Sequence, residues 1–465
     1  MKSLVRRERF GKIGLLFSVV IVSAGLLMGQ QCVAPMPPDD GDDGDPTARG
    51  QFVGANDCRI CHSRLYDDWL LTRHAKAFDT LKAIGQDTNA FCLNCHTTGF
   101  GETDGFVNEL STPQLAGVQC ESCHDAGLIH RTNVADESLR PAKPVEAAVC
   151  GKCHNYHHPT LDEWSDSAHA QMNETVVDDF SRGVLLNACG TCHSGDYRIR
   201  AVVGGQTVPD ELLVGKTAEE MNGVTCVVCH DPHRVTGNAF DPEPGHDIQL
   251  RYPEIAFPTP SNSVADTTNP DRFNLCGQCH HSRGRTWDAT SRGPHHSVQA
   301  NYYVGEMPVP DGTDPLVENE RTVHAFVPKQ CATCHMPQEE FQESVGESLP
   351  THPSHQYAIT TTEGCTATGC HPSAAAAAAD LEAFQGRVQT DLDNIVARLG
   401  DPATWEYSAT GGPDDEGQAA LPDEIKKVRF LYSYILGDGS LGVHNPEYTD
   451  AILREADALL TDIGR

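Results

Sequence analysis

The sequence predicts a mainly α chain with extensive irregular loops, an interior filled by something other than an ordinary apolar core, and a helical C-terminal region. Three observations predict it. Of 465 residues only 39% are apolar and 6% aromatic, while 41 glycines and 29 prolines supply turns, so the chain is thin in core-forming side chains and rich in loops. The compositional outliers are 19 cysteines and 23 histidines. After residue 373 apolar residues recur every three or four positions, the stripe of amphipathic helices.

In that last region, residues 373–465, the stripe Leu381, Phe384, Val388, Leu392, Ile395 and Leu399 predicts one helix, with Gly400 as its stop. Pro422 opens a second, with Ile425, Val428, Leu431 and Ile435 on one side. Asn445-Pro446 opens a third, with Ile452, Ala456, Leu459 and Ile463. Such stripes pack on one another and on the rest of the chain, and no chemistry is assigned to them.

The other end reads as export machinery. Lys2, Arg6, Arg7, Arg9 and Lys12 precede an apolar run from Ile13 to Leu27, which is shorter than the roughly 20 residues of a bilayer span. Residues 1–32 therefore read as an export signal, and the protein is expected in the periplasm or at the cell surface. Residues 33–50, acidic and rich in Pro and Gly, form a linker. Between the two stands Cys32, placed as a lipid anchor would be in a bacterial lipoprotein. The alternative is an ordinary cleaved signal with an incidental cysteine, because Gln30-Gln31 occupy positions where a lipobox has small residues.

A formal charge of −31, from 65 Asp plus Glu against 34 Lys plus Arg, argues against nucleic acid, whose phosphates select basic patches. Basic or cationic partners are favoured, although acidity also serves solubility.

Every cysteine after Cys32 belongs to a pair closed by an adjacent histidine. Eight pairs have the form Cys-x-x-Cys-His: Cys58/Cys61/His62, Cys92/Cys95/His96, Cys120/Cys123/His124, Cys150/Cys153/His154, Cys189/Cys192/His193, Cys226/Cys229/His230, Cys276/Cys279/His280 and Cys331/Cys334/His335. The ninth, Cys365/Cys370/His371, has four residues between its cysteines. Zinc sites do not require histidine directly after the second cysteine, and disulfides require none. Two thiols on a short turn reach the two vinyl groups on one porphyrin edge, and the next residue then lies beneath the iron as its axial ligand. The chain is thus expected to carry nine covalently attached haem c groups.

The motifs recur in triplets. In the first, Cys58–His62 is followed by Trp69 and His74, and Gly117-Val118-Gln119-Cys120 opens the third motif, with His130 after it. In the second, Cys150–His154 is followed by Trp164 and His169, and Gly223-Val224-Thr225-Cys226 opens the third motif, with His233 after it. A looser third triplet has Trp287 and His295-His296 after its first motif. The triplets span about residues 51–145, 146–260 and 261–372. Nine histidines are used by the motifs and fourteen remain, enough for a second axial histidine at every iron. Candidates are His74, His130, His169, His233, one of His295 and His296, and His444 before the last helix. His324, His352 or His355, and His158 are weaker ones. His157, His246 and His281 are left as bystanders.

The run from Cys58 through Trp69 and His74-Ala75-Lys76-Ala77, with Gly117-Val118-Gln119-Cys120-Glu121-Ser122-Cys123-His124, resembles the multihaem cytochrome superfamily of the tetrahaem hydroxylamine-pathway cytochrome, octahaem oxidoreductases and pentahaem nitrite reductase. Gly442-Val443-His444-Asn445-Pro446 is similar to the C-terminal helices of that group. The resemblance implies closely stacked haems and an electron path between donor and acceptor redox proteins, with docking to an outer-membrane or surface complex as one setting. It also implies a rival, an oxidoreductase acting on a small nitrogen or sulfur compound such as hydroxylamine, nitrite or tetrathionate at one open haem. The Cys-x-x-Cys-Lys motif usual in nitrite reductases is absent from this sequence, and the expanded Cys365/Cys370 site is the place to suspect an open iron. Pyridine haemochrome assay combined with intact mass is expected to return nine haems per chain. A count of eight would remove the expanded site.

Overall fold

The computed structural model describes residues 51–465 except 157, 238–246, 252–274, 311, 319, 328, 341–350 and 367–368. The export signal, the linker, the Cys32 anchor, His157, His246 and the junction at 260/261 lie outside the described residues.

The chain is mainly helical, with long irregular connections. Most described helices are short, and several of them are built around the cysteine motifs. Cys-x-x-Cys wound as one helical turn puts both thiols on the same side, because residues three apart are neighbours on a helix surface. The segments Ala90–His96, Ala147–His154, Leu186–His193 and Cys331–His335 each end on a motif histidine. The helix Ala55–Trp69 runs on past its motif with a kink at His62 (φ −113°, ψ 41°).

The triplet pattern has a physical counterpart. Trp69 Nε1 donates to the Val118 carbonyl at 3.0 Å, and Val118 N–H donates to the His74 carbonyl at 3.0 Å. In the second triplet Trp164 Nε1 donates to Val224 O at 2.8 Å, and Val224 N–H donates to His169 O at 2.8 Å. Each Trp-to-His step therefore clamps the Gly-Val segment that leads into a later motif. Glycine is required there because a Cβ on Gly117 would come within 2.8 Å of the Ala75 carbonyl oxygen, and one on Gly223 within 2.5 Å of His169 O. The third triplet lacks this clamp among the described residues, where Trp287 Nε1 has no hydrogen-bond partner and its ring lies 5.0 Å from Lys427 Nζ.

Apolar clusters within the triplets are small: Phe78, Leu81, Leu93, Phe106 and Leu115 in one, and Phe180, Leu213 and Met221 in another. The large cluster lies at the C-terminal end. Ser373 caps Ala374–Leu399 through Oγ to Ala376 N–H at 3.1 Å, and Gly400, at φ 81°, ends it. Pro422 precedes Asp423–Asp438, and Asn445 Oδ1 caps Pro446–Asp462 at Tyr448 N–H, 3.1 Å. The predicted stripes face inward: Val388, Leu392, Ile395, Val428, Leu431 and Ile452 pack with Trp287, Val298 and Tyr302 of the third triplet.

Polar pins hold these helices to that triplet. Arg429, fully buried, donates to the carbonyls of Trp405 and Ala289 and to Gln418 Oε1 at 2.8–3.0 Å. Tyr302 and Thr449 share a hydroxyl hydrogen bond of 2.6 Å, and Asn445 Nδ2 donates to Glu320 O at 2.7 Å. A two-stranded antiparallel sheet, β1 (Gln338–Glu340) and β2 (Thr351–Pro353), pairs Glu339 with His352. No helix among the described residues is long and apolar enough to cross a membrane.

Leu392 lies at the centre of the C-terminal cluster at 1% exposure. Leu392→Ala is expected to cost about 2–5 kcal/mol, the range for emptied leucine sites, read as a lower guanidinium midpoint for helical unfolding with haem absorbance retained.

Candidate functional site: facing histidines and interleaved cysteine motifs

The motif histidines are oriented through their ring nitrogens. His96 Nδ1 donates to Ala77 O at 2.9 Å, His124 Nδ1 to Ala142 O at 2.6 Å, His230 Nδ1 to Ile248 O at 2.7 Å and His335 Nδ1 to Tyr357 O at 2.8 Å. A protonated Nδ1 leaves the Nε2 lone pair as the metal-binding atom. Burial pushes His124, His230 and His335 down, toward the neutral form that ligates, and it pushes His74 and His169, which close no motif, down to about 4, with His154 and His280 adding to the effect.

Five pairs of imidazoles face one another at nearly constant separation. Ring centroids are 6.0 Å apart for His74 and His154, 6.0 Å for His124 and His233, 6.1 Å for His169 and His280, 6.4 Å for His193 and His296, and 5.9 Å for His335 and His444. In each pair one member closes a cysteine motif and the other does not. An ion bound by two imidazole nitrogens at about 2 Å, the usual metal–histidine bond, puts the ring centroids roughly 6 Å apart. The residues present fit haem iron held from both faces.

Other candidates are placed differently. His295 lies 4.2 Å from His296 and bonds Ser297 Oγ at 2.6 Å, so the two neighbours are separated in role. His324 Nδ1 donates to Val443 O at 3.1 Å, and His371 is among the groups acting on its ring. His352 stacks directly on His158 at 4.4 Å, too close for an ion between them. His355, the other member of that either-or choice, is pushed down to about 4 by burial and by His230. His130 is half-buried, with a shielded Nδ1 that has no hydrogen-bond partner. Among the described residues, the motif histidines His62, His96, His230 and His371 have no facing ring of the 6 Å kind.

The sequence reading missed Asp438. Its buried carboxylate accepts from His444 Nδ1 at 2.7 Å. Burial works against a charged His444, and the Asp438 charge outweighs it, raising the imidazole's basicity. A carboxylate six residues before a histidine carries no motif, so only the fold shows the contact.

Cysteines of different motifs lie side by side. Sulfur atoms within hydrogen-bond reach join Cys58 to Cys120, Cys95 to Cys153, Cys150 to Cys226, Cys192 to Cys279, Cys276 to Cys331 and Cys334 to Cys365. Cys123 acts electrostatically on Cys150 and Cys153, and Cys276 on Cys229. All eighteen motif cysteines are free of disulfides.

Three of these cysteines, Cys61, Cys276 and Cys370, are exposed. Among the described residues, Cys61 and Cys370 are those of the three whose own sulfurs meet no other motif. Their positions give the reason. Cys61 lies on the helix Ala55–Trp69, of which only Ala55 and Trp69 are buried, and Cys370 follows the turn at Gly369 (φ 73°) in the expanded motif. They belong to the first and the ninth motif, each of which meets a neighbouring motif through its first cysteine, Cys58 or Cys365. The second cysteine of each is left on the open side. Cys276 is also exposed, but its sulfur meets Cys331. The spacing argument for the first and ninth motifs concerns the reach of two thiols to one porphyrin edge, and it does not require that edge to be buried.

Comparison with known proteins finds cytochromes similar in part of the sequence and in fold. A family model described as cytochrome c554 and c-prime matches residues 57–125. Cytochrome c-554 of Nitrosomonas europaea is 35% identical over 95 residues, 17% of this chain and 40% of the relative. The chain thus spans two-fifths of the length of that curated relative. Two solved structures share the fold: the outer cell wall cytochrome OcwA, with TM-score 0.57 and 18% identity over 88% of this chain and 99% of that one, and the undecahaem cytochrome from the S-layer of Carboxydothermus ferrireducens, with TM-score 0.54 and 18% identity over 90% and 70%. Fold and motifs define a c-type cytochrome. More particularly, the chain is a multihaem c-type cytochrome with a cytochrome c554-like segment at its N-terminal end, binding haem c through its cysteines.

Asp438→Asn replaces an anionic acceptor with a neutral one and makes His444 the poorer electron donor. One redox component is expected to move upward by roughly 60–120 mV, the one-electron equivalent of a 10–100-fold change in relative affinity, while the other components stay in place in a spectroelectrochemical titration.

Proposed function

We propose that this protein carries electrons in the periplasm or at the cell surface through nine haems, most of them held between two histidines. The observation that carries this reading is the set of five facing histidine pairs at 5.9–6.4 Å. When bound, haem c supplies an iron that cycles between two oxidation states, and an iron with two fixed histidines keeps its ligands through the cycle.

Within this reading the axial partners are His74 for His154, His233 for His124, His169 for His280, His296 for His193 and His444 for His335. His355 serves His230 and His324 serves His371. Numbering the motifs along the chain, the sulfur neighbours order them as a trunk 1–3–4–6–7–8–9. Motif 2 branches from motif 4, and motif 5 from motif 7. The two branches occupy equivalent places in the repeat, which supports a path inherited through triplication. The exposed Cys61 and Cys370 stand at the two ends of the trunk, where electrons would enter and leave. The names of the two solved neighbours, an outer cell wall and an S-layer cytochrome, are in keeping with a surface position, and Cys32 would then tether the chain to lipid. The acidic surface suits basic redox proteins or a cationic acceptor.

A second reading, oxidoreductase chemistry at an open iron, is favoured by the motif histidines that have no facing ring among the described residues, His62, His96, His230 and His371. The expanded site, whose His371 acts electrostatically on His324, stays among the places for an open iron. EPR of the oxidised protein separates the two readings. Low-spin signals alone are expected for a pure electron carrier, whereas a large high-spin signal that shifts on adding hydroxylamine, nitrite or tetrathionate would replace that reading with the enzyme.

A further inference from the structure

Between the second triplet and the β-hairpin lies a group of ligand-type side chains that no cysteine motif uses. Glu163, on the short helix Thr160–Asp166, meets Glu339 of β1 and His352 of β2, and one ligand atom from each lies within 4.8 Å of the other two. The antiparallel register sets Glu339 opposite His352, so the hairpin delivers both from adjacent strands. Glu163 and His352 are each only 5% exposed, while Glu339 is half-buried and leaves one side open. His158 stacks on the His352 ring at 4.4 Å and fixes its plane. Glu163 also accepts from the His355 backbone N–H at 2.8 Å. The cluster is therefore built from three separate elements, with one side chain braced by stacking and another by a main-chain hydrogen bond.

We propose that Glu163, Glu339 and His352 form a binding site for a divalent first-row transition cation, distinct from the haem sites. Two carboxylates held together away from bulk water repel one another, and a divalent cation converts that repulsion into ligation. One imidazole and two carboxylates form a borderline donor set suited to zinc or manganese, and three protein ligands leave a fourth position for water on the Glu339 side. Bound there, the cation clasps the second triplet to the hairpin and holds the backbone of His355 in place. Chain separation explains why the sequence hides the site: Glu163 is 176 residues from Glu339 and 189 from His352.

The test uses the fully haem-loaded protein, stripped with chelator, incubated with zinc chloride and dialysed. Elemental analysis is expected to find zinc stoichiometric with chain, and zinc K-edge absorption a shell of nitrogen and oxygen at about 2.0–2.1 Å. Glu339→Gln is expected to weaken zinc binding by about tenfold or more, with unchanged haem iron content and visible spectrum as the control for folding. Failure of the wild type to retain zinc, equal retention by Glu339→Gln, or a sulfur shell showing capture by vacant cysteine motifs would overturn the site. Iron content reports separately on the haem reading, so failure of either is distinguishable.

Discussion

A spacing of about 6 Å between facing imidazoles governs this molecule. It matches the width that two metal–nitrogen bonds and the rings behind them would set. Holding that width at five places requires rigid supports on both sides of each pair. The motif histidines obtain theirs from the turn that closes each motif, and His124 and His335 also from a carbonyl on Nδ1. Their partners come from loops, and the loops have to be pinned. The Trp69 and Trp164 indoles do this in the first two triplets by fastening the segment beyond each His74-type residue. In the third, the C-terminal helices take over. Arg429, Tyr302 and Asn445 fasten them to the triplet, and the loop before the last helix then presents His444 and a carbonyl for His324.

The pairs interlock the triplets. His74 belongs to the first triplet and faces His154 of the second; His169 of the second faces His280 of the third. Contacts also run backward, from His233 to His124 and from His296 to His193. Each triplet thus completes its neighbours rather than itself. Small apolar clusters suffice in such a chain because much of the cohesion lies in contacts between the triplets.

Second contacts differentiate the histidines. His96, His124, His230 and His335 donate Nδ1 to a neutral carbonyl, whereas His444 donates to a buried carboxylate. The difference makes His444 the more basic imidazole and sets its surroundings apart electrostatically from the others.

The sequence by itself determined what is local. Thiols and histidine within one helical turn declare their chemistry through spacing, so all nine motifs were legible. So were the three C-terminal helices, whose stripes, caps and stops are written within a few residues. The repeat also marked His74 with His169 and His130 with His233 as equivalent pairs. Only the tertiary structure decided which rings meet, because facing partners are 80 to 111 residues apart in the pairs His74–His154, His124–His233, His169–His280, His193–His296 and His335–His444 ordered by the fold. It also left Cys61 and Cys370 exposed while their motif partners Cys58 and Cys365 met other sulfurs. It separated His355 from His352, set His352 against His158 and two glutamates, and placed Asp438 beneath His444. Those outcomes depend on how loops from distant parts of the chain are pinned, and a short stretch of sequence carries no period or spacing that encodes a contact made across the fold.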